Sequence, residues 1–142
     1  MTQVQLREFR YTEDYPSVLR LWESAGAGVR VGPSDTPAEI QKKLQRDPDL
    51  FLVAESKSEI IGTVIGGFDG RRGLVYHLAV AVPFRRRGVA SQLMAAVERR
   101  LREKGCIRCY LLVRPDNSDA MEYYETVGWN LLDDQIFAKD LA

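Results

Sequence analysis

A basic turn that precedes a long amphipathic stretch is the part of this sequence best suited to bind a charged ligand. An apolar run over residues 74–82 ends at a proline, and three arginines and a glycine follow soon after it: Arg85, Arg86, Arg87 and Gly88. The first amides of a helix lack intrahelical acceptors and lie at the positive end of the helix dipole, so they can bind a pyrophosphate. Glycine lets such a ligand approach the main chain. The segment therefore predicts a phosphate site at the start of a helix.

Two widespread phosphate-binding signatures do not fit this turn. A Walker loop ends in Gly-Lys followed by Ser or Thr, and the dinucleotide fingerprint has three spaced glycines. Here Gly88 is the one glycine of the turn, and Val89 and Ala90 follow it. The sequence thus indicates a phosphate loop of another kind.

Helical and extended segments alternate along the rest of the chain. Apolar residues at three- and four-residue steps, with caps and glycine stops, predict four helices, over residues 13–25, 37–46, 86–104 and 117–127. Runs rich in β-formers predict strands over residues 3–9, 50–55, 60–68, 74–82, 107–113 and 129–139. Thr12 is the expected cap of the first helix. The order is that of an α/β protein in which central strands lead into helices.

Composition and charge indicate one soluble domain. The 142 residues are 45% hydrophobic and show no linker or repeat, so we expect a single domain over residues 1–142. Lys and Arg number 20 and Asp and Glu number 20, which leaves no net charge to attract nucleic acid or an anionic membrane. No apolar run approaches the roughly 20 residues that span a bilayer. A cytoplasmic protein is the expectation.

The two cysteines have the spacing of a redox or zinc motif. Cys106 and Cys109 form a CxxC, but there is no third cysteine and His77 is the only histidine. A tetrahedral zinc site needs four ligands. We interpret them as ordinary thiols and expect no metal, with a redox pair as the alternative.

Two motifs in this setting resemble those of the GNAT acetyltransferase family. Residues 85–90, Arg-Arg-Arg-Gly-Val-Ala, resemble the family pattern Gln/Arg-x-x-Gly-x-Gly/Ala. The family's C-terminal motif, Asn-x-x-Ala-x-x-x-Tyr-x-x-x-Gly-Phe/Trp, is similar to the spacing of Asn117, Ala120, Tyr124, Gly128 and Trp129, and Tyr123 also lies within it. Segments 21–23, 51–55, 66–70 and 121–125 look closest to the bacterial YpeA-like branch. The resemblance covers almost the whole chain.

The resemblance implies a fold and a cofactor site. The fold would be the acyl-CoA N-acyltransferase fold, with a mixed central sheet of about six strands splayed at the cofactor site, and four helices. Acetyl-CoA would be the acetyl donor, with its pantetheine arm paired to the backbone of Leu78, Ala79 and Val80. Its phosphates would lie on the turn and first helical residues, Arg85, Arg86, Arg87, Gly88, Val89, Ala90 and Ser91.

Two residues of the C-terminal motif have both a functional and a structural interpretation. Asn117 matches the family's asparagine beside the cofactor arm, and it is also a good helix N-cap. Tyr124 matches the family's tyrosine near the cofactor sulfur, where a phenol could protonate the departing thiolate. The structural alternative for Tyr124 is a packed aromatic on the helix, which is the interpretation we give Tyr123.

The general base is the open part of the mechanism. An amine with a pKa near 10 must lose a proton before it attacks a thioester. Many family members are thought to use a glutamate on the central strands, but residues 74–82 contain no acid. His77 is the candidate, with Tyr76 expected on the opposite face of the strand; Glu23, Glu55 and a water relay stay open. A main-chain amide near Val80 could polarise the thioester carbonyl.

The resemblance therefore implies an N-acetyltransferase that moves the acetyl group of acetyl-CoA to a primary amine of a small molecule, peptide or protein, by direct attack in a ternary complex. The acceptor would border residues 25–37 and 69–73, whose charged side chains do not identify it: Arg30, Asp35, Asp69, Arg71 and Arg72. One alternative is a non-catalytic acyl-CoA sensor. Another is a nucleic-acid binder that uses its arginine clusters, which the balanced charge disfavours. A homodimer is common among such relatives, and the oligomeric state stays open.

Overall fold

Five strands form one mixed sheet in the computed structural model, which describes residues 3–26 and 29–142. They are β1 (Gln5–Glu8), β2 (Phe51–Ser56), β3 (Glu59–Phe68), β4 (Gly73–Val80) and β5 (Cys109–Leu111), in the spatial order of the chain. The first four pair antiparallel, and β4 pairs parallel with β5. A parallel pair needs a crossover connection, which a helix supplies here.

Within the described residues, four α-helices accompany the sheet, as the sequence predicts. They are α1 (Tyr11–Ser24), α2 (Pro37–Arg46), α3 (Val89–Glu103) and α4 (Ser118–Thr126). Short 3-10 turns occupy Pro33–Asp35 and Val82–Phe84. The expected cap at Thr12 is wrong: α1 begins after Arg10, whose amide donates to the Asp14 carboxylate at 2.8 Å. No helix in the described ranges is long and apolar enough to cross a membrane.

Strand β2, which lies between β1 and β3, is buried on both faces. Its apolar run Phe51, Leu52, Val53 and Ala54 is at most 1% exposed. Phe51 and Val53 pack with Trp22 of α1 and its neighbours. Gly62 and Gly66 of β3 face α3, since a Cβ at Gly62 would meet Leu93 at 3.0 Å and one at Gly66 would meet Val97 at 2.7 Å. Helices therefore cover both faces, which explains why β2 is a continuous apolar run instead of an alternating one.

The closing strand expected over residues 129–139 is not present. Residues 129–142 contain no helix or strand. Leu131, Ile136 and Phe137 are 72%, 67% and 94% exposed, and the acidic pair Asp133 and Asp134 interrupts the apolar alternation between them. A strand is stable only when its backbone groups pair with a neighbour, and this segment makes no ladder. The sheet accordingly has five strands where about six were expected.

The chain forms two compact units, Met1–Leu112 and Val113–Ala142. The first contains the sheet with α1, α2 and α3, and the second contains α4. Both cysteines lie in the first unit as free thiols. Burial, with a smaller effect of Cys106, raises the pKa of the Cys109 thiol to about 11, so Cys109 stays protonated near neutral pH.

Candidate active site

A bulge in β4 places His77 in an unusual backbone conformation. Ile65 of β3 pairs with Tyr76 and Thr63 pairs with Ala79, so one residue of β3 lies opposite the two residues His77 and Leu78. His77 has a φ of +52°, in the left-handed region that non-glycine residues seldom adopt. Strained backbone of this kind persists only where surrounding contacts fix it, and it is concentrated at functional sites.

Two hydrogen bonds in series fix the bulge from the α1 side. The indole Nε1 of Trp22 donates to the Thr63 hydroxyl at 2.9 Å, and that hydroxyl donates to the His77 carbonyl at 2.9 Å. The imidazole also meets the Trp22 ring edge to face, with centroids 4.6 Å apart. Both Thr63 and Trp22 are buried. The carbonyl that the bulge removes from the β-ladder therefore has a partner.

Tyr76 was expected on the face of β4 opposite His77, and this expectation is wrong because of the bulge. In a regular strand, neighbouring side chains point to opposite faces. Tyr76 instead packs against the same apolar cluster as Trp22, and its ring centroid is 5.4 Å from that of His77. Burial, with smaller effects of Asp35 and Asp47, raises the pKa of Tyr76 to about 12, so this phenol is neutral at neutral pH.

The His77 ring pairs with a buried carboxylate from a distant segment. Its Nε2 lies 2.8 Å from Oδ1 of Asp35, which is 4% exposed. The other oxygen of Asp35 accepts from the Gly32 amide at 3.0 Å, and the Asp35 carbonyl accepts from the Tyr15 hydroxyl at 2.8 Å. The sequence interpretation treated Asp35 only as one of several charged loop residues. No short-range pattern links it to a histidine 42 positions away.

The other proposed bases have different surroundings. Glu55 accepts from Nε of Arg7 at 2.6 Å, in a network that also holds Asp14. Glu23 is exposed near the end of α1. Of these three candidate side chains, His77 is the one that lies in the bulged strand β4.

The second half of β4 has an open edge. The ladder with β5 joins only the first three residues of β4, the last pair being Val75 with Leu111. The Ala81 amide donates to Ile61 of β3 at 2.8 Å, so the backbone groups of Val80, and by alternation those of Leu78, point to the other side. The side chain of Ala79 is buried in the core beside Trp22. Leu78 and Val80 therefore present backbone groups at an edge able to pair with an extended ligand, where the Val80 carbonyl accepts from the Arg85 side chain.

A turn rich in left-handed residues joins this edge to α3. Arg86 has a φ of +64° and Gly88 a φ of +80°, and a Cβ at Gly88 would meet nothing within 4 Å. The first amide bonded within the helix is that of Gln92, which donates to the Gly88 carbonyl at 3.0 Å. No acidic residue occupies the first turn of α3. The amides of Val89 and Ala90 precede that first bond, at the positive end of the helix dipole.

The three arginines of the turn are exposed. Arg85 donates from Nε to the Val80 carbonyl at 3.0 Å, and the Arg87 guanidinium lies 5.5 Å from the centre of the Phe84 ring. Arg86 lies between them in the turn, and Ser91 is exposed in the first turn of α3. Exposed guanidinium groups beside helix amides suit an anion of high charge.

In the second unit, the C-terminal motif forms helix α4, which is capped at both ends. The Asn117 side chain accepts from the Ala120 amide at 3.3 Å, as an N-cap does. At the other end, the Trp129 amide donates to the Tyr124 carbonyl at 2.9 Å, and Gly128 has a φ of +101°. This is a Schellman motif, in which glycine supplies the left-handed residue. The Asn, Ala, Tyr, Gly and Trp positions of the motif all have structural roles in α4.

Tyr124 is a protonated phenol at neutral pH. Its ring meets that of Trp129 at a centroid distance of 6.3 Å and that of Tyr123 at 5.4 Å. Burial, with a smaller effect of Tyr123, raises the pKa of Tyr124 to about 12. The group can therefore donate a proton throughout the neutral range.

Comparison with known proteins decides the family. The model of the acetyltransferase (GNAT) family matches residues 11–129. The chain belongs to the GNAT acetyltransferase family. An acetyltransferase of Pectobacterium atrosepticum is 40% identical to this GNAT protein over 131 residues, which cover 92% of the chain and 90% of the relative. The expected family and α/β fold are confirmed, while the YpeA-like branch stays a prediction.

Solved structures show the same fold. The crystal structure of Ard1 from Thermoplasma volcanium has a TM-score of 0.79 and 28% identity, and the match covers 91% of this chain and 84% of Ard1. The aminoglycoside N-acetyltransferase AAC(6′)-Iy in complex with CoA has a TM-score of 0.75 and 24% identity, with 100% and 97% covered. Their similarity extends along nearly the full length of this GNAT protein.

Proposed function

We propose that this GNAT protein transfers the acetyl group of acetyl-CoA to a primary amine by direct attack in a ternary complex. The observation that carries the proposal is the open edge of β4, with backbone groups of Val80 directed away from β3, next to an acid-free helix start at Gly88. The pantetheine arm of acetyl-CoA contains amides and leads to phosphates, so it matches both features. The family match and the CoA complex of AAC(6′)-Iy support the same reading.

The cofactor arm would pair with β4 as an added strand. Pantetheine contains two amide groups, which can exchange hydrogen bonds with the edge at Leu78 and Val80 as a peptide does with a sheet edge. The phosphates would then meet the amides from Arg86 to Ser91, with the Arg85 and Arg87 side chains adding positive charge. Bound acetyl-CoA would supply an activated acetyl group at the end of this edge.

The chain would supply the proton transfers. His77 accepts a proton from the amine as the nitrogen–carbon bond forms, and Tyr124 donates a proton to the sulfur as the carbon–sulfur bond breaks. The Val80 amide, on the open edge, donates to the carbonyl oxygen while it gains charge. For these groups to act together, residues 1–142 would form one domain, which agrees with a family match that runs from residue 11 to 129.

Charges elsewhere argue against a nucleic-acid role. The second arginine cluster lies on α3 and comprises Arg99, Arg100 and Arg102, of which Arg100 and Arg102 pair with Glu8 and Glu98. Arg100 pairs with Glu8 and donates to the Asp49 carbonyl at 3.0 Å, and Lys104 pairs with Asp49 at 2.9 Å. These contacts leave the turn at Arg85 as the basic site favoured for a phosphate ligand.

A thiol-release assay tests the proposal. Purified protein is incubated with acetyl-CoA and a panel of small amines, amino acids and peptides, and free CoA thiol is measured with a chromogenic disulfide. We expect amine-dependent release with an acetylated amine as the product by mass spectrometry. Acetyl-CoA binding without release for any amine would favour the acyl-CoA sensor instead. Absence of both binding and release would overturn the proposed function.

A further inference from the structure

We propose that Asp35 is a positioning residue that holds the neutral His77 ring in one tautomer, with Nδ1 left as the atom that accepts the proton from the amine. The inference rests on the proposed function, in which His77 is the base. It assigns a role to a residue outside the turn, the strand and the helix that carry the family motifs.

The chemistry of the pair determines the tautomer. An ionised carboxylate accepts hydrogen bonds and has none to donate. Oδ1 of Asp35 lies 2.8 Å from Nε2 of His77, so Nε2 must carry the hydrogen and donate it. A neutral imidazole has one N–H, and its other nitrogen then carries the lone pair. The Nδ1 atom is therefore the basic one.

Hydrogen bonds within the protein fix the Asp35 carboxylate in place. Asp35 ends the 3-10 turn Pro33–Asp35, its second oxygen accepts from the Gly32 amide, and the Tyr15 hydroxyl bonds its carbonyl. A buried carboxylate is costly unless it is hydrogen-bonded. These contacts hold it aimed at the ring, and Trp22 limits the ring from another side. Both partners of the pair are thus fixed in position.

The same pair would stabilise the protonated base. Transfer of a proton to Nδ1 creates an imidazolium, which a buried carboxylate at hydrogen-bond distance stabilises. Two phenols lie near the pair: Tyr76, whose ring centroid is 5.4 Å from that of His77, and Tyr15, whose hydroxyl donates to the Asp35 carbonyl. Asp47 forms an ion pair with Lys43 at 2.8 Å. Asp35 is therefore the charge in direct contact with His77.

The left-handed backbone conformation of His77 also agrees with a base that is held in one orientation. A left-handed φ in the middle of a strand is strained for a residue with a side chain. The backbone bond from Thr63 and the ring contact with Trp22 compensate for that strain. The result is an imidazole turned toward Asp35 at the point where the edge of β4 becomes open.

The single histidine of the chain makes the tautomer measurable. In tag-free, nitrogen-15 labelled protein, a long-range proton–nitrogen correlation spectrum contains the signals of one imidazole, His77. At about pH 9 an ordinary imidazole is neutral, and the two tautomers give different nitrogen shifts. We expect wild type to show the hydrogen on Nε2 and Asp35→Asn to show a mixture. A hydrogen on Nδ1 in wild type would overturn the proposal.

Kinetics then connect the tautomer to turnover. With an amine identified by the thiol-release assay, Asp35→Asn should lower kcat about 10- to 100-fold, as loss of an orienting partner does, with KM for acetyl-CoA within about threefold. Tyr15→Phe is the matched control, because it removes a bond to Asp35 but leaves the carboxylate on the ring. It should keep the tautomer and most of kcat.

The outcomes separate the two claims. An inactive wild-type enzyme would overturn the proposed function. An active wild type in which Asp35→Asn keeps full kcat would overturn the role of Asp35 alone. Equal losses of kcat in Asp35→Asn and Tyr15→Phe, with the tautomer unchanged, would show that Asp35 acts only by anchoring its loop. That result would also overturn the proposed role of Asp35.

Discussion

The Thr63 hydroxyl donates to the His77 carbonyl across the bulge of β4, at 2.9 Å, while it accepts from Trp22. The buried Thr63 hydroxyl therefore gives hydrogen-bond partners to the indole N–H of a helix residue and to a strand carbonyl that has no partner in the sheet. The bond links the core of the fold to the candidate base.

Removal of this hydroxyl should destabilise the protein. Thr63→Val keeps the shape but leaves the Trp22 N–H and the His77 carbonyl without partners, at a cost of about 2–4 kcal/mol for two buried groups. Urea denaturation measures the free energy of unfolding. Thr126→Val is the matched control, because Thr126 makes its bond to Glu122 at an exposed site, and it should change stability by about 0.5 kcal/mol or less. Equal effects of the two variants would contradict the role of Thr63.

Acid should weaken the anchor between β1 and α1. Arg7 binds both oxygens of Asp14, at 2.7 and 2.9 Å. Burial raises the pKa of Asp14, but the hydrogen bonds from Arg7 and from the Arg10 amide outweigh it, and the net pKa lies below the usual value. A lowered pKa contributes stability that is present above the unfolded-state pKa, near 4, and is lost as pH falls through the folded-state pKa.

Asp14→Asn should therefore cost about 2–3 kcal/mol at neutral pH, and less as pH falls below about 4. Urea denaturation at a series of pH values measures this difference. Glu13→Gln, one position earlier and exposed, should change stability little at any pH. A cost for Asp14→Asn that stays constant down to about pH 3 would contradict the ionic role of Asp14.

Neighbouring glycines of β3 should respond differently to alanine. A Cβ at Gly66 would approach Val97 of α3 to 2.7 Å, whereas a Cβ at Gly67 would have Lys43 Nζ as its nearest neighbour, at 3.5 Å. Gly66→Ala should cost about 1–3 kcal/mol through overpacking. Gly67→Ala should be tolerated, with a thermal midpoint close to wild type. The reverse order would mean that α3 does not cover β3 as described.

Local signals in the sequence were sufficient for much of the fold. The helices followed from periodicity and glycine stops, because caps depend on residues a few positions apart: Gly105 ends α3 and Gly128 ends α4, both with positive φ. Asn117 is an N-cap, as its type indicated. The turn between β4 and α3 was recognisable for the same reason, since a strand, a glycine and a helix start are adjacent in the chain.

Long-range pairings were not predictable from the sequence. The bulge at His77 depends on Thr63 and Trp22, which belong to two other elements, and the Asp35 carboxylate that contacts His77 lies in a further segment, 42 positions away in the chain. The prediction of a closing strand was wrong for a related reason. The pattern of residues 129–139 resembled a strand, but a strand also requires a partner, which no local pattern specifies.

Loss of the Tyr124 hydroxyl should reduce turnover without a loss of binding. Tyr124→Phe keeps the ring contact with Trp129 but removes the proton donor, so kcat should fall about 100-fold or more while the Kd of acetyl-CoA changes by less than about threefold. Because the pKa of Tyr124 is raised to about 12, the phenol stays protonated at the assay pH. Stopped assays for kcat and calorimetry for Kd measure the two effects. Tyr123→Phe is the control, and an equal loss in both variants would contradict the assignment.

Calorimetric titration with acetyl-CoA tests the central claim, that the turn at Gly88 binds the cofactor phosphates. Gly88→Glu adds a carboxylate at the start of α3, and Gly105→Glu adds one after its end; both glycines have positive φ and open space around the added Cβ. We predict that wild type and Gly105→Glu bind alike and that Gly88→Glu loses at least about tenfold in affinity, or about 1.4 kcal/mol. Binding by Gly88→Glu equal to wild type, or no binding by wild type, would contradict the account.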